Sequence, residues 1–327
     1  MTTNDFVFTT VAGGGTVGIT GTGFIGTALA RRLRAAGVAV RGVDLRAHPD
    51  TIWADMGAVT TVGDITNADD MAAFCQGLDT VLHTAALVAE SGDMDVFTSI
   101  NVDGPVTVAT AARNAGVRRF VHFSSVMVYG FDYPDGIDET GPTDGANNPY
   151  CITKIASEQA VLALHDPGVF DVFIIRPGDV YGPGSVPWVV RPFEAMQSGL
   201  WASIGADAKP LINHVFIDNL IDGIAVVLES GRSGEPFVIT DQRRTTTTEF
   251  YGRLLAMAGI DEVPSVTADE ALSFGLDPEA VRYLMRTGQY SADKVASLGY
   301  APAIDLDEGM AITRAWLATR PGTNLTD

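Results

Sequence analysis

Two side chains that can move a proton, Tyr150 and Lys154, lie four positions apart in the segment NNPYCITKIASEQ (147–159). At this spacing on a helix the two side chains share one face, one turn apart. An ammonium held near a phenol favours the phenolate, and such a tyrosine can exchange a proton with a carbonyl or alcohol oxygen while hydride moves at a nicotinamide. Because a YxxxK spacing often arises by chance, this interpretation needs support from other residues.

Two serines supply that support. Ser124 and Ser125 follow the strand-like segment RRFVHF, and Ser125 precedes Tyr150 by 25 residues. If this run is a strand, a hydroxyl at its carboxyl end can donate to the same substrate oxygen and stabilise developing charge. The serines therefore favour a catalytic interpretation of Tyr150 and Lys154.

A glycine-rich turn predicts a dinucleotide site. Gly21, Gly23 and Gly26 form GxGxxG between the strand-like TVGIT and the helix-like TALARRLRAAG. Glycines there let the backbone turn sharply and approach a pyrophosphate at a helix N-terminus. Asp44 ends the next strand-like segment, where a carboxylate binds both ribose hydroxyls and favours NAD over NADP. Arg46 acts against that preference, and the alternative is that Asp44 only ends a strand.

Two further polar residues lie at the ends of strand-like segments, and each has both a functional and a structural interpretation. Asp64 in VGDIT is placed to reach the adenine amine, but a loop or cap role fits its spacing equally well. His83 in LHTAA is more consistent with a structural role, because the five histidines show no metal-ligand spacing. We therefore predict no metal site.

Alternating β-branched and amphipathic segments must position these residues. Strands are predicted near 16–20, 39–44, 58–62, 79–83, 118–124 and 171–176, and helices near 24–37, 67–76, 94–115 and 149–165. This alternation predicts an α/β fold, a Rossmann-type doubly wound parallel sheet with helices on both faces. Sites in such sheets lie at the carboxyl ends of the strands.

The pattern loosens after residue 177, which predicts a smaller mixed C-terminal substrate-binding region. The predicted organisation is an N-terminal extension (1–15), an NAD-binding domain (16–180, with 213–240 returning to it) and a substrate-binding region (181–212 and 241–327). The four threonines at 245–248 predict a loop and N-cap before a helix. Two short helices are expected near 291–317.

Composition excludes several classes of partner. The chain has 327 residues, 46% of them hydrophobic, and a net charge of −19, which repels the phosphate backbones of nucleic acids. The longest apolar runs are far shorter than the roughly 20 residues that a membrane span needs. The two cysteines, Cys75 and Cys151, and the absence of a secretory signal pattern predict a cytoplasmic protein.

The motifs, taken in order, resemble the extended short-chain dehydrogenase/reductases, the group that includes nucleotide-sugar epimerases and dehydratases and 3β-hydroxysteroid dehydrogenases. The matching segments are TGTGFIG, GDIT, LHTAA, NVDGP, SSVMVYG, PYCITK, RPGDVYGPG, HVFIDNL and SADKVASLGYAPAIDLDEG. TGTGFIG has one residue fewer between its first two glycines than is usual for the family. The resemblance covers residues 16 to about 317, and INHVFIDNLIDGI looks more like the 3β-hydroxysteroid dehydrogenase branch.

The resemblance implies roles for individual residues. Tyr150 would be the acid/base, with Lys154 as its tuner and a ribose ligand. Ser125, with Ser124 as the other choice, would bind the substrate oxygen, and Asn101 would match the family's helix asparagine near the active site. The implied cofactor-binding residues are Gly21, Gly23, Phe24, Ile25, Gly26, Asp44, Asp64, Ile65, Thr84, Ala85, Ala86, Tyr150, Lys154, Pro177 and Gly178.

Departures from the family pattern bear on the substrate. Val126 and Met127 stand where the dehydratases carry an Asp-Glu pair, which argues against a dehydratase. Asp179 replaces an asparagine of the nucleotide-sugar enzymes, and a carboxylate there would repel a pyrophosphate. Ile212 stands where those enzymes usually carry a diphosphate-binding arginine. Other cationic residues are available to compensate for these two departures in binding a diphosphate: Arg191, Lys209, Arg243, Arg244 and Arg282.

The apolar segment 186–201, which includes Trp188, fits either a hydrophobic substrate pocket or a helix packed into the core. The predicted substrate-binding residues are Ser125, Asp179 and Trp188. The leading hypothesis is an NAD-dependent oxidoreductase acting on a hydrophobic, steroid-like alcohol or ketone. A nucleotide-sugar 4-epimerase with tightly bound NAD is the second hypothesis, and a non-catalytic dinucleotide sensor is the third. The resemblance also implies a homodimer built on helices 94–115 and 149–165.

Overall fold

A computed structural model describes residues 15–48, 51–89, 91–205, 208–262, 264–323 and 325. The predicted N-terminal extension therefore lies almost wholly outside the described residues. The strands are β1 (Thr16–Thr20), β2 (Ala39–Asp44), β3 (Val59–Val62), β4 (Leu78–His83), β5 (Arg119–Phe123), β6 (Asp171–Pro177), β7 (Asp179–Tyr181), β8 (Ser203–Ile204), β9 (Leu211–Ile212), β10 (His214–Phe216), β11 (Pro236–Ile239), β12 (Thr245–Thr246) and β13 (Ser265–Val266).

Helices cover both faces of the main sheet and build most of the C-terminal part. The α-helices are α1 (Phe24–Ala35), α2 (Ile52–Asp55), α3 (Ala68–Phe74), α4 (Met94–Thr98), α5 (Gly104–Asn114), α6 (Pro149–Leu162), α7 (Arg191–Gln197), α8 (Ile217–Ser230), α9 (Thr247–Met257), α10 (Ala268–Ser273), α11 (Pro278–Leu284), α12 (Asp293–Ala296) and α13 (Leu306–Leu317). Two π-helical segments, Ser99–Asp103 and Val186–Val190, and a 3-10 turn, Val126–Tyr129, complete the helical structure.

Seven strands form one parallel sheet in the order β11-β6-β5-β4-β1-β2-β3. The predicted Rossmann-type α/β fold is confirmed. The strand order reverses between β1 and β4, so the connections leaving their carboxyl ends diverge and open a crevice. The glycine-rich turn after β1 and the LHTAA segment at the end of β4 both lie at this crevice.

The apolar runs of the central strands are explained by burial on both faces. In β6, Phe173 and Ile175 belong to one apolar cluster, and Val172 and Ile174 belong to the other. Alternating side chains of one strand therefore enter two different cores, which makes its sequence continuously hydrophobic.

The predicted elements of the first half agree with the structure to within three residues at each end. The exception is the single helix expected over 94–115, which a π-helical segment at Asn101 divides into α4 and α5. Thr246 caps α9, as the threonine run predicted. The late strand β11 pairs with β6 at the edge of the main sheet. Among the described residues, no helix has the length and apolar character that crossing a bilayer requires.

Candidate active site

The start of α6 fixes the position of Tyr150. The side chain of Asn148 accepts hydrogen bonds from the backbone N–H groups of Tyr150 and Cys151, and Pro149 occupies the first helical position. Both features favour a helix that begins at this point. Tyr150 therefore lies in the first turn and Lys154 one turn later, and both line the cavity at the carboxyl edge of the sheet.

The Tyr150 phenol is buried beside Ser125. Burial raises the pKa of Tyr150 above its ordinary value, and a hydrogen bond with the Ser125 side chain lowers it in part. The Ser125 hydroxyl oxygen also accepts from the backbone N–H of Met127 at 3.1 Å, which fixes the serine at the start of the 3-10 turn. The phenol is thus held in its protonated form, next to a second hydroxyl.

Ser124 and Cys151 flank these residues with different surroundings. Ser124 lines the cavity, and its buried hydroxyl has no hydrogen-bond partner among the described residues. Burial raises the pKa of the Cys151 thiol to about 12, and the side chain packs with Phe131 and Ala146. The thiol is therefore a packed group with little thiolate, rather than a reactive one.

Lys154 is held by the sheet as well as by its helix. Its Nζ donates to the carbonyl oxygen of Phe123 at 2.7 Å and lies 5.6 Å from the centroid of the Tyr150 ring. Burial lowers the pKa of Lys154 to about 8, and the carboxylate of Glu158 acts in the opposite direction. The sequence led us to expect a lowered pKa for a phenol beside this ammonium, but burial raises the pKa of Tyr150 instead.

A buried ion pair behind Lys154 was not predicted from the sequence. Arg176 donates to Glu158 through two nitrogens, at 2.9 and 2.6 Å, and to the Tyr129 hydroxyl at 2.8 Å. Both charged side chains are less than a tenth exposed. Glu158 lies four residues after Lys154 on the same helix face, and this spacing was the available signal.

Asn101 joins the 84–89 segment to α6. Its amide oxygen accepts from the backbone N–H of Leu87, and its amide nitrogen donates to the Leu87 carbonyl and to the Thr153 hydroxyl. The side chain is buried and does not line the cavity. The contacts are those of a residue that positions the 84–89 segment against α6.

The glycine-rich turn fits a dinucleotide phosphate. Gly21 has a φ of +86°, and a Cβ at Gly26 would lie 1.9 Å from the Gly21 carbonyl oxygen, so neither position accepts a side chain. A Cβ at Gly23 would meet no other described atom within 4 Å. The loop is thus closely packed on its protein side and open at Gly23, where a phosphate can approach the backbone.

Asp44 lies at the end of β2, beside this loop. One of its carboxylate oxygens accepts from the backbone N–H of Thr22 at 2.8 Å and from the Thr22 hydroxyl at 3.2 Å. Among the described residues, the other oxygen accepts only from the backbone N–H of Arg46, at 3.4 Å. A carboxylate oriented in this way by the glycine loop fits a ribose diol.

Most of the other predicted cofactor residues line the cavity, whereas three lie outside its lining. Those that line it are Phe24, Ile25, Thr84, Ala86, Pro177 and Gly178. Ala85 packs against the turn at Gly21, because a Cβ added at Gly21 would lie 2.8 Å from the backbone nitrogen of Ala85. The carboxylate of Asp64 accepts from the backbone and hydroxyl of Thr66, which supports its loop role. Ile65 packs against the core cluster of α3 and α5.

His83 has the structural environment that the sequence favoured. Its Nδ1 lies 2.6 Å from the Thr20 hydroxyl, and its ring stacks on His122 with centroids 5.5 Å apart. Burial lowers the pKa of His83 to about 3, so the ring stays neutral. The stacked pair forms part of the sheet core behind the cavity.

The cavity has a volume of about 760 Å³ and a largely apolar wall. Its apolar and aromatic lining includes Met127, Phe131, Pro187, Trp188, Trp201 and Tyr283. The segment 186–201 satisfies both sequence interpretations, because Pro187, Trp188 and Trp201 line the cavity whereas Val189 and Phe193 are buried in the core.

Asp179 lines the same cavity, but its charge is balanced within the protein. The side chain is 2% exposed, and one oxygen accepts from Arg286 at 3.0 Å and from the backbone N–H of Asn213 at 2.9 Å. Arg286 was not among the cationic residues predicted to compensate for the departures from the family pattern. The expected repulsion of a pyrophosphate by Asp179 is therefore weaker than the sequence alone indicated.

Fold and site together define an NAD-binding enzyme of the extended short-chain dehydrogenase/reductase type. The model for the NAD dependent epimerase/dehydratase family matches residues 17–240, and this chain belongs to that family. The predictions of family, enzyme class and NAD as cofactor are thereby confirmed.

Known relatives resemble the chain over most of its length. A 3-beta-hydroxysteroid dehydrogenase from Mycolicibacterium neoaurum is 29% identical over 330 residues, covering 89% of this chain and 88% of the relative. A 3 beta-hydroxysteroid dehydrogenase/Delta 5-->4-isomerase from Mycobacterium tuberculosis is 32% identical over 258 residues, covering 73% of this chain and 68% of the relative. A crystal structure of a dTDP-glucose 4,6-dehydratase from Streptomyces venezuelae, with NAD bound, is 28% identical with a TM-score of 0.79, covering 94% and 98%.

Proposed function

We propose that the protein is an NAD-dependent oxidoreductase that interconverts a secondary alcohol and a ketone on a hydrophobic, steroid-like small molecule. One observation carries this proposal. Ser125, Tyr150 and Lys154 lie in a single cavity whose other walls are largely apolar and aromatic. Hydroxyls facing such a wall suit a substrate with one reacting oxygen on an apolar body. The names of the two hydroxysteroid dehydrogenase relatives support the same substrate class.

The proposed acid/base is Tyr150. In ketone reduction its hydroxyl donates a proton to the carbonyl oxygen, and in alcohol oxidation the phenolate accepts the proton of the alcohol. Ser125 donates a hydrogen bond to the same oxygen and stabilises its developing charge. Lys154, fixed by the Phe123 carbonyl, supplies positive charge near the phenol.

The residues proposed to hold NAD follow from the loop geometry. The open backbone at Gly23 would receive the pyrophosphate, Asp44 the adenosine ribose, and Lys154 the nicotinamide ribose. Pro177 and Gly178 would lie beside the nicotinamide. When bound, NAD supplies the hydride acceptor or donor for the reaction.

A nucleotide-sugar 4-epimerase is the second candidate. The balanced charge of Asp179 removes one electrostatic objection to it. The apolar wall around Trp188 and Tyr283 favours the first candidate, because a sugar diphosphate needs polar partners. A non-catalytic sensor is disfavoured because Ser125, Tyr150 and Lys154 are all present and lie together.

The domain division and the homodimer also remain proposals. Apolar side chains are partly exposed on the helices expected at the dimer interface, with Val96 48% and Ile152 38% exposed. Burying them against a second copy would remove this surface from water. A cytoplasmic location is likewise a proposal, supported by the two cysteines, whose small number fits a reducing compartment.

Thermal unfolding in the presence of NAD tests the substrate class. A ligand that binds only the folded protein raises its apparent stability. We expect a higher unfolding temperature with a fused-ring steroid ketone and no change with UDP. A rise with UDP alone would replace the first candidate with the second.

A further inference from the structure

One aromatic side chain of the cavity wall is held by a buried ion pair. Arg286 donates to Asp179 at 3.0 Å, and both side chains are 2% exposed. The Cζ of Arg286 lies 3.6 Å from the centroid of the Tyr283 ring, and its Nε donates to the Tyr283 carbonyl at 2.7 Å. The Tyr283 hydroxyl donates to the second oxygen of Asp179. Ring and hydroxyl of Tyr283 are thus fixed by the two members of one pair.

The fixed tyrosine connects two other aromatic side chains of the cavity. The ring of Tyr283 lies 5.7 Å from that of Phe131 in an edge arrangement and 5.9 Å from that of Trp188. All three residues line the cavity that contains Tyr150 and Ser125. Such a set of rings presents a preformed apolar surface to a ligand, at little further cost in side-chain entropy.

The pair links distant parts of the chain. Asp179 begins β7, directly after the segment that ends β6 beside the proposed nicotinamide site, whereas Tyr283 and Arg286 belong to α11 and the residues after it. A buried ion pair is weak support for stability, but one of its attested uses is to fix a single arrangement. Here the arrangement that it fixes is the contact between α11 and the catalytic edge of the sheet.

We propose that Asp179 and Arg286 are positioning residues that hold Tyr283 as part of the substrate-binding wall. The pair then determines how well the enzyme binds a flat, fused-ring substrate, and takes no part in proton or hydride transfer. This inference rests on the proposed function for the substrate class. It assigns specificity to three residues that lie outside the Ser125, Tyr150 and Lys154 group.

The test compares Asp179→Asn/Arg286→Gln, Tyr283→Ala and the triple variant. The double variant removes both charges together, which avoids leaving one buried charge unpaired. With a fused-ring steroid ketone we expect the KM to rise about tenfold in the double variant and in Tyr283→Ala, with kcat changed less than about threefold. The triple variant should show no further increase, because all three changes remove one coupled element.

Arg113→Gln is the control. Arg113 lies on α5, is partly exposed and pairs with Asp166, and neither residue lines the cavity, so its loss should leave the KM unchanged. An unchanged KM in the folded double variant, or a full additional increase in the triple variant, would overturn the proposal. If the double variant does not fold, Tyr283→Phe removes only the hydroxyl bond to Asp179. In that case an unchanged KM in Tyr283→Phe overturns the proposal.

Ligand binding separates this inference from the proposed function. Turnover by the wild-type enzyme tests the proposed function. The ratio of variant to wild-type affinity for the steroid ketone tests whether Asp179 and Arg286 position Tyr283 for substrate binding. If the wild-type enzyme binds the ketone without reducing it, the function is wrong and the dissociation constants still decide the inference. If the wild-type enzyme binds no steroid ketone, both are wrong.

Discussion

The Lys154 ammonium lies 5.6 Å from the centroid of the Tyr150 ring and donates to the Phe123 carbonyl at 2.7 Å. The lysine is therefore anchored to the end of β5 while it remains one helical turn from the phenol. This geometry provides a fixed positive charge near the proposed acid/base.

Replacing Tyr150 with phenylalanine removes the proposed proton donor and keeps the shape of the side chain. We expect kcat to fall by about 10²–10⁴-fold, which is the usual contribution of general acid/base catalysis. NAD affinity, measured by titration, should change little. Tyr300→Phe is the control, because that buried hydroxyl binds the Thr240 carbonyl, outside the cavity lining. Equal loss of activity in both variants would contradict the assignment.

The rate of ketone reduction should fall as the pH rises through about 8. Burial lowers the pKa of Lys154 to about 8, so its positive charge is present below this pH and is lost above it. Burial raises the pKa of Tyr150, so the phenol keeps its proton over the same range. Lys154→Arg retains the charge and should move the decline to higher pH. A decline at the same pH in Lys154→Arg would exclude Lys154 as its source.

Asp44 should set the preference for NAD. Asp44→Ser removes the carboxylate that would repel a 2′-phosphate, and we expect the ratio of kcat/KM for NADP to that for NAD to rise about tenfold or more. Asp69→Asn, at the exposed start of α3, controls for loss of a carboxylate elsewhere. The prediction is wrong if both variants keep the wild-type ratio.

Breaking the buried pair behind Lys154 should destabilise the protein and shift its pH profile. Glu158→Gln leaves the buried Arg176 without its counter-ion, and loss of one such partner costs about 3–5 kcal/mol of unfolding free energy. Because the Glu158 carboxylate raises the pKa of Lys154, the decline in reduction should also move to lower pH. Denaturant unfolding and a pH–rate profile measure the two effects.

The control for that experiment is a solvent-exposed pair. Arg113 and Asp166 lie 3.1 Å apart with side chains 43% and 44% exposed, so Arg113→Gln should cost less than about 1 kcal/mol. A similar loss of unfolding free energy in both variants would show that the burial of Glu158 and Arg176 has no special effect.

Local patterns made much of the fold predictable. The glycine turn, the end of β2 at Asp44 and the start of α6 at Asn148 each depend on neighbouring residues, because turns, strand ends and caps are short-range features. The relative placement of Tyr150 and Lys154 follows from helix geometry alone. These features were therefore accessible before the structure.

The remaining features depend on contacts between distant parts of the chain. Asp179 and Arg286 are 107 residues apart, so neither the balance of the Asp179 charge nor the anchoring of Tyr283 can be read from local spacing. Burial of Tyr150 and Lys154 shifts their pKa values, and burial is a property of the folded protein. In 186–201, apolar side chains of one type enter either the core or the cavity, and hydrophobicity alone does not separate the two.

The most direct test of the proposed function is production of NADH from NAD with purified wild-type enzyme. A fused-ring steroid alcohol and UDP-glucose are supplied in parallel, and Tyr150→Phe is the inactive comparison. We expect NADH with the steroid alcohol, loss of that activity in Tyr150→Phe, and no conversion of UDP-glucose. Interconversion of UDP-glucose with its 4-epimer, and no NADH from any hydrophobic alcohol, would contradict it.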